Sequence, residues 1–412
     1  MLKFNSQSPI SGIMITAGSA IGAGIFSLPI AASGMWFPLS IISLIAVWVI
    51  SYLATLMLLE VNMQYEPGTS FNTFTKEILG NTWNIVSGLS IAFLLYIFLY
   101  AYFSAFGNIA AHTYQLIFNK EAIFSQRVLS LILGGILAFF VWKSTKMVGR
   151  ISAVLIVGMV ISFCLTVSGL SIYIEGTKLF ESSENILSKV SYIWSGLPYF
   201  LSACAFMSMV PSLYKFYGKN PKTIKTSLFY GALLSLLVYI AWLVVAFGVI
   251  PRTDFVAINA AGGNMGDLVN GLEQNAAGTA VSGLLNFFSN LAIVSSFFGA
   301  GLSLFDYIAD SFKLGNGLMN RFYTACITFV PPAIASFFFP HGFIAAIGFA
   351  GIVVVFMFFI LPFAMVWKTR KLNVVSSYRL QGGKILLIIV LVAGLIIGFS
   401  QSLSMLGYLP KY

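Results

Sequence analysis

The sequence predicts an all-α protein whose helices span a membrane. Of the 412 residues, 59% are hydrophobic and only 8% are charged, whereas soluble domains carry about 25% charged residues. The apolar residues are gathered into continuous runs of the length that a helix needs to cross a bilayer core, roughly 20 residues. The strands of a membrane barrel would instead alternate apolar with polar residues over about 10 positions. A soluble globular fold and a barrel are therefore both excluded.

Eleven such runs follow one another along the chain, and we predict one membrane-spanning helix from each. They cover residues 9–33, 37–59, 83–107, 128–142, 148–174, 190–214, 227–250, 281–309, 321–339, 341–367 and 384–408. The first run is longer than the core of a signal peptide, about 7 to 15 residues, so we interpret it as a retained span. No linker or low-complexity tract divides the chain, and residues 1–412 are predicted to form one integral membrane domain. The longest polar connection, 251–280, is expected to be a lid or connector.

Positive charges predict the orientation of these spans. With a cytoplasmic N-terminus and eleven crossings, all but six of the 22 Lys and Arg residues fall on the cytoplasmic side, as the positive-inside rule requires. The six exceptions are Lys120, Arg127, Lys178, Lys189, Arg252 and Lys411. The C-terminus is then external. Because the basic residues lie at helix ends, beside anionic headgroups, the net charge of +10 predicts contact with membrane lipids and no binding of nucleic acid.

Small residues cluster at midplane depth in two of the spans. In the first span Gly18, Gly22 and Gly24 precede Pro29, and in the sixth span small residues fill 202–205. Such a cluster can be a face that lets helices pack closely. It can also be an unwound segment whose backbone faces a buried cavity, because irregular backbone is tolerated at this depth only where protein or water covers it.

The relative positions of the two clusters favour unwound segments. The sixth span begins five helices after the first and therefore enters the membrane from the opposite face. Broken helices at matching positions of two oppositely oriented halves are typical of secondary transporters built from inverted repeats. We predict that spans one and six are broken, that the two repeats cover about 9–174 and 190–367, and that 384–408 is an additional helix.

An unwound helix offers backbone groups that match the two charges of a free amino acid. N–H groups at the start of the second half-helix, around Ala23, would face the carboxylate, and the carbonyls that end the first half-helix would face the ammonium. Each hydrogen bond to a charged group contributes about 1.5 to 3 kcal/mol, which only offsets desolvation. Net affinity must come from the substrate side chain, and an aromatic ring that buries roughly 150–250 Å² contributes on the order of 4 to 6 kcal/mol. The predicted substrate-binding residues are Ser19, Ala20, Gly22, Ala23, Gly24, Tyr96, Tyr100, Phe200, Ser202, Ala203 and Phe206.

The aromatic members of this set have an alternative interpretation. Tyr96 and Tyr100 share one face of the third span at i, i+4 spacing, where both side chains could contact a substrate. Phe206 follows the second cluster and is expected to act as a gate over the site. Tyrosines are also enriched at both membrane interfaces, so a packing or anchoring role stays open for them.

A coupled cation is expected to drive accumulation of the substrate. A zwitterion carries no net charge, so the membrane potential acts only on an accompanying cation, by about 2.3 kcal/mol per 100 mV. No nucleotide-binding motif indicates ATP as the energy source. The candidates for ion coupling or gating are Ser295, Ser296, Asp306, Asp310 and Glu60. Intramembrane carboxylates are functional by default, but pairing of the aspartates with Lys313 or Arg321, and serine packing between helices, are open alternatives.

Three motifs carry a family resemblance. Residues 18–29 read G-S-A-I-G-A-G-I-F-S-L-P, residues 210–221 read V-P-S-L-Y-K-F-Y-G-K-N-P, and residues 305–310 read F-D-Y-I-A-D. Over nearly its whole length the chain resembles the bacterial tyrosine and tryptophan permeases, the hydroxy- and aromatic-amino-acid permeases of the amino acid, polyamine and organocation superfamily. The resemblance implies a LeuT-like fold of two inverted five-helix repeats plus an eleventh helix. It also implies uptake of tyrosine, tryptophan or phenylalanine across the inner membrane by alternating access, with protons and without a cofactor.

One motif departs from the family pattern. Family members tend to read F-G-F-H-G-N before V-P-S-L, whereas residues 204–209 of this chain read C-A-F-M-S-M. Without that histidine, a sodium-coupled carrier for another neutral amino acid stays open as the alternative. A membrane-embedded enzyme would need clustered acids, bases or ligands at midplane depth, but the only two histidines, His112 and His341, lie near opposite loop ends. The three cysteines lack paired spacing, so we predict neither an enzyme nor a metal site.

Overall fold

The structure, a computed structural model, describes residues 8–69, 71–118, 124–180, 186–276, 279–315, 317–374, 376–410 and 412. Within this part of the chain all regular elements are helices, which confirms the predicted all-α class. The α-helices are α1 Pro9–Ala20, α2 Ser27–Ala32, α3 Trp36–Asn62, α4 Phe71–Leu79, α5 Asn81–Phe118, α6 Gln126–Lys143, α7 Thr145–Leu170, α8 Gly176–Leu179, α9 Ile186–Ala203, α10 Val210–Tyr217, α11 Pro221–Val249, α12 Asp254–Ala260, α13 Met265–Asn275, α14 Thr279–Ser311, α15 Leu318–Phe338, α16 Phe343–Val355, α17 Leu361–Lys371 and α18 Gly383–Met405. Short 3-10 turns occupy Ala23–Phe26, Ser171–Tyr173 and Phe206–Met209, and a π-helical turn, Phe356–Ile360, joins α16 to α17.

Most of these helices are built to cross a membrane. Nine helical segments of the described chain are long and apolar enough to do so, and the two halves of the first span, Pro9–Ala20 and Ala23–Ala32, form a tenth that bends by 52°. The protein is therefore an integral membrane protein, and its described residues contain nine to ten apolar spans. The predicted span at 321–339 is helical as α15, but its two internal prolines and several polar residues leave it outside this set. A count of eleven crossings therefore stays a prediction.

Packing brings the two interrupted spans together at the centre of the bundle. The helix α1 packs along α11, α2 packs against α9, and the 3-10 turn after α9 contacts α1. The long helix α5 lies against α14, α15 and α16, and α14 also packs along α7. Four buried rings join the turn after α1 to α7, α11 and α14 at centroid distances between 5.2 and 6.3 Å. They are Phe26, Phe163, Trp242 and Phe288.

One end of the bundle, called the basic end below, is held by a buried ion pair. This end contains the described connections 63–69, 218–220, 372–374 and 376–382. Glu60, near the end of α3, is only 2% exposed and accepts hydrogen bonds from Nε and Nη2 of Arg370 at 2.7 and 2.6 Å. The N–H of Leu380 donates to the same carboxylate at 2.8 Å. The pair therefore fastens α3 to α17 and to the segment that leads into α18.

The opposite end of the bundle is covered by α12 and α13, which form within the connection 251–280 that the sequence predicts as a lid or connector. Glu273 of α13 lies 3.2 Å from Nε2 of His112, in a part of α5 that extends beyond the predicted third span. Asn264, which caps α13, contacts the ring of His341 at 3.1 Å. The prediction that the two histidines lie near opposite loop ends is therefore wrong. Both reach the same covering segment, because that segment folds back over the spans.

Candidate functional site

The first span is interrupted between α1 and the turn at Ala23–Phe26. Gly22 is extended, and the N–H of Ile25 turns back to its carbonyl at 3.1 Å. The N–H of Ala23 leaves the helical ladder and donates to Oγ of Ser296 in α14 at 2.9 Å. A serine from another span therefore satisfies the N–H group around which the sequence predicts a carboxylate site.

The neighbouring glycines keep their N–H groups free. In the described residues the N–H groups of Gly22 and Gly24 have no protein acceptor. A Cβ added to Gly22 would lie 2.7 Å from Oγ of Ser296, too close for a side chain to fit without moving that hydroxyl. A Cβ added to Gly24 would meet no atom within 4 Å. The break thus presents two donors, one of them beside open space.

The sixth span is interrupted between α9 and α10. The last residue of α9 is Ala203, after which the N–H of Cys204 is shared between the carbonyls of Phe200 and Leu201 at 3.0 and 3.1 Å. A 3-10 turn at 206–209 then leads into α10. The carbonyl that ends α9 consequently loses the N–H partner that a continuous helix would give it.

A cavity of about 570 Å³ lies between the two breaks and the helices around them. This volume falls within the range of small-molecule sites, roughly 300–1,000 Å³. Among the described residues that line it there is no Asp, Glu, Lys, Arg or His. The charges of any bound molecule must therefore be met by backbone groups and hydroxyls.

The lining of the cavity is divided between polar and apolar elements. The breaks, α7 and α14 contribute hydroxyls from Ser19, Ser152, Ser202, Ser208, Ser295, Ser296 and Ser303. Helices α5 and α7 and the turns beside α10 and α17 contribute Ile91, Leu94, Leu95, Phe98, Tyr102, Ile156, Met159, Met209, Met357 and Phe358. Such a cavity suits a molecule with a compact polar head and a large apolar group.

Most of the residues that the sequence predicts for the substrate site at the two breaks line the cavity. Those that line it are Ser19, Ala20, Gly22, Ala23, Gly24, Ser202 and Ala203. Phe200 lies before the break in the sixth span and Phe206 after it, and both are fully buried in the core, outside the described cavity wall. Their packing supports the break, and the gating role of Phe206 stays a prediction.

The tyrosines Tyr96 and Tyr100 face α15 and the connection after it. The hydroxyl of Tyr96 donates to the carbonyl of Ile327 at 2.7 Å. Four residues later stands Pro331, which has no N–H to give that carbonyl, so the tyrosine replaces a missing helical hydrogen bond. The hydroxyl of Tyr100 donates to the carbonyl of Phe339 at 2.9 Å. Both side chains lie outside the described cavity wall.

A different face of α5 lines the cavity. Tyr102 lies two residues after Tyr100 and therefore about 200° further round the helix, and it stacks on Phe98 at a centroid distance of 6.3 Å. The pair Tyr96 and Tyr100 and the pair Phe98 and Tyr102 both have i, i+4 spacing. The sequence of α5 alone therefore does not show which pair faces the cavity. Phe358 lies in the π-helical turn, and the one sequence signal for it is Pro362, which leaves the carbonyl of Phe358 without the i+4 donor of an α-helix.

Of the candidates for ion coupling, the two serines Ser295 and Ser296 line the cavity. Asp306 and Asp310 lie in the last turns of α14, towards the basic end, and Glu60 is held in the buried pair described above. All three carboxylates are outside the described cavity wall. Arg321, considered as a partner of the aspartates, donates to two carbonyls at the end of α6, each at 2.8 Å.

Comparison with known proteins gives the chain a family. Residues 5–401 match the model of the tryptophan/tyrosine permease family. The chain is 42% identical to a tryptophan-specific transport protein of Pseudomonas aeruginosa, over 98% of this chain and 97% of the relative. It is 39% identical to a tyrosine permease of Enterobacter agglomerans over the full length of both chains. It is 36% identical to a low affinity tryptophan permease of Escherichia coli K12 over 98% of each.

These matches cover nearly the whole chain, including both helix breaks and every span that lines the cavity. They confirm the resemblance that the three sequence motifs carry, and they agree with a cavity that has an uncharged, mainly apolar wall. The protein belongs to the tryptophan/tyrosine permease family and is a transport protein, not an enzyme.

Proposed function

We propose that the protein imports tryptophan and related aromatic amino acids, tyrosine among them, by cation symport and alternating access. The observation that carries this proposal is the uncharged cavity between two helix breaks, which joins free backbone groups to a large apolar wall. The relatives named for tryptophan or tyrosine transport support the choice of substrate.

The substrate carboxylate is proposed to bind at the first break. The N–H groups of Gly22 and Gly24 have no acceptor in the described residues, and the dipole of the following helix adds partial positive charge there. Ala20 and Ala203, which end α1 and α9, belong to the cavity wall, and their carbonyls offer the acceptors for the ammonium. Each charge of the zwitterion thus meets backbone groups of opposite polarity.

The aromatic side chain is proposed to lie against α5 and the turn before α17. Phe98, Tyr102, Met159 and Phe358 give this wall rings and a thioether that contact an indole or phenol favourably. Burial of the ring contributes on the order of 4 to 6 kcal/mol. A smaller aliphatic side chain would leave part of the wall without contacts and would bind more weakly.

The arrangement of helices supports an inward-facing state of a LeuT-like transporter. We assign α15 as the remaining crossing, so that two inverted repeats of five spans are followed by α18. The exposed serines Ser19, Ser208 and Ser303 lie on the basic-end side of the breaks, and α12 and α13 cover the other end. With the basic end in the cytoplasm, as the positive-inside rule favours, the cavity is accessible from inside.

Uptake into proteoliposomes tests the proposed substrate. We expect labelled tryptophan to accumulate in vesicles that contain the purified protein when an inward proton gradient is imposed, and to equilibrate without one. Unlabelled tyrosine and phenylalanine should compete, whereas alanine and leucine should not, because they leave the apolar wall unfilled. Competition by alanine or leucine at the same concentrations as tyrosine would contradict an aromatic substrate.

The coupling ion is proposed to be a proton, and sodium replacement tests this. Uptake of tryptophan should be unchanged when choline replaces sodium at fixed pH, and should fall to equilibration when a protonophore is added. Ser295 and Ser296 offer hydroxyl oxygens in the cavity wall that suit sodium. Loss of uptake in choline would therefore replace the proton with sodium and leave the substrate proposal intact.

A further inference from the structure

Tyr239 joins the two helix breaks from a third span. It lies within α11, is 1% exposed, and its hydroxyl oxygen is 2.7 Å from the carbonyl oxygen of Ala20 and 2.8 Å from that of Ala203. Ala20 and Ala203 are the last residues of α1 and α9. In continuous helices their carbonyls would accept from the N–H groups of Gly24 and Met207, and the breaks remove both bonds.

The carbonyls of Ala20 and Ala203 together have too few hydrogen-bond donors. A phenol carries one hydrogen and therefore donates a full hydrogen bond to one carbonyl at a time. The two carbonyl oxygens compete for that hydrogen, so one of them needs a further donor. A carbonyl removed from water without a partner destabilises the state that contains it.

The missing donor can come from a molecule in the cavity. Ala20 and Ala203 both line the cavity, and no described cavity-lining residue is a Lys, Arg or His that could supply the hydrogen. The ammonium of an amino acid carries three N–H groups and a positive charge, which strengthens hydrogen bonds to carbonyls. Gly22 and Gly24, whose N–H groups are free, lie shortly after Ala20 in the chain. The groups suited to a carboxylate and to an ammonium therefore lie at the same break, as binding of an α-amino acid requires.

We propose that Tyr239 is a positioning residue for the substrate ammonium, whose hydroxyl holds the carbonyls of Ala20 and Ala203 together as a joint acceptor. This inference rests on the proposed function, because it assigns the ligand of the cavity to be an amino acid. The hydroxyl donates to one carbonyl and the ammonium donates to the other. Binding of the amino group then links the first and sixth spans through α11.

The variant Tyr239→Phe tests the proposal by removing one oxygen while keeping the ring. Affinities are measured on the purified full-length protein in detergent for three probes: L-tryptophan, tryptamine and indole-3-propionate. The first two carry the amino group and the third lacks it. We expect the variant to bind tryptophan and tryptamine about 10- to 100-fold more weakly than the wild type does, and indole-3-propionate within about twofold.

The matched control is Tyr214→Phe. Tyr214 is also buried, and its hydroxyl donates to the carbonyl of Tyr65 at 2.6 Å, outside the described cavity wall. This control should leave all three affinities within about twofold. Equal weakening of all three probes by Tyr239→Phe would mean that the hydroxyl only supports the fold, and unchanged affinities would mean that it is not used. Either result overturns the proposal.

A second measurement needs no variant. N,N,N-trimethyltryptophan keeps the positive charge but has no N–H to donate, and we expect the wild type to bind it at least about 10-fold more weakly than tryptophan. Equal binding of the two would overturn the proposal. If the wild type bound no tryptophan, the proposed substrate would be wrong instead. The role of Tyr239 would still be decided by comparing Tyr239→Phe with the wild type. That comparison would use an amino acid that does bind and its des-amino analogue.

Discussion

Valine in place of Gly24 is expected to abolish tryptophan uptake without preventing insertion of the protein into the membrane. A Cβ at this position would meet no protein atom within 4 Å, so the branched side chain fits the fold and occupies the cavity instead. It would then stand beside the free N–H groups of Gly22 and Gly24 and exclude the carboxylate. Loss of two hydrogen bonds to a charged group, at about 1.5 to 3 kcal/mol each, corresponds to at least roughly a 100-fold loss of affinity.

The control for this variant is Gly135→Val in α6. Gly135 is exposed on the surface of its helix, and a Cβ there also meets no atom within 4 Å. The same substitution should therefore leave uptake close to that of the wild type. Yield and elution of both variants in size-exclusion chromatography report on insertion and folding. Near-normal uptake by Gly24→Val would contradict the assignment of the first break to the carboxylate.

Methionine in place of Arg370 is expected to destabilise the protein by about 3 to 5 kcal/mol, because it leaves a buried carboxylate without its partner. The side chains of Arg370 and Glu60 are 8% and 2% exposed, and the pair is bidentate. The measurement is the free energy of unfolding in detergent, by denaturant titration. Lys219→Met is the control, since it removes an exposed ion pair with Glu66, and it should cause little change.

The double variant with Glu60→Leu and Arg370→Met separates a structural role from ion coupling. Replacing both partners by apolar residues removes the unpaired charge, so most of the stability lost in Arg370→Met should return. Because Glu60 lies outside the described cavity wall, the double variant should also keep uptake driven by a proton gradient. Tryptophan binding that persists while the proton gradient no longer drives uptake would instead assign coupling to Glu60.

The two aromatic pairs of α5 mark the limit of prediction from one span. Tyr96 and Tyr100 have the spacing of a substrate-binding face, as do Phe98 and Tyr102. The choice between them depends on Pro331, which lies more than 200 residues away and leaves the carbonyl of Ile327 for Tyr96 to satisfy. No pattern within α5 contains that information.

The sequence by itself determined the class of protein, nearly all of its spans and the positions where two of them break. Length and apolarity of a run are local properties that decide whether a helix enters a bilayer, and clusters of small residues at matching positions of two oppositely oriented halves indicated where two helices break. Only the tertiary structure decided which groups at the breaks remain free. Ser296 of α14 satisfies the N–H of Ala23, and Tyr239 of α11 lies between two carbonyls that one hydroxyl cannot both satisfy. Hydrogen-bond satisfaction depends on whichever helix packs alongside, and that is a property of the whole bundle.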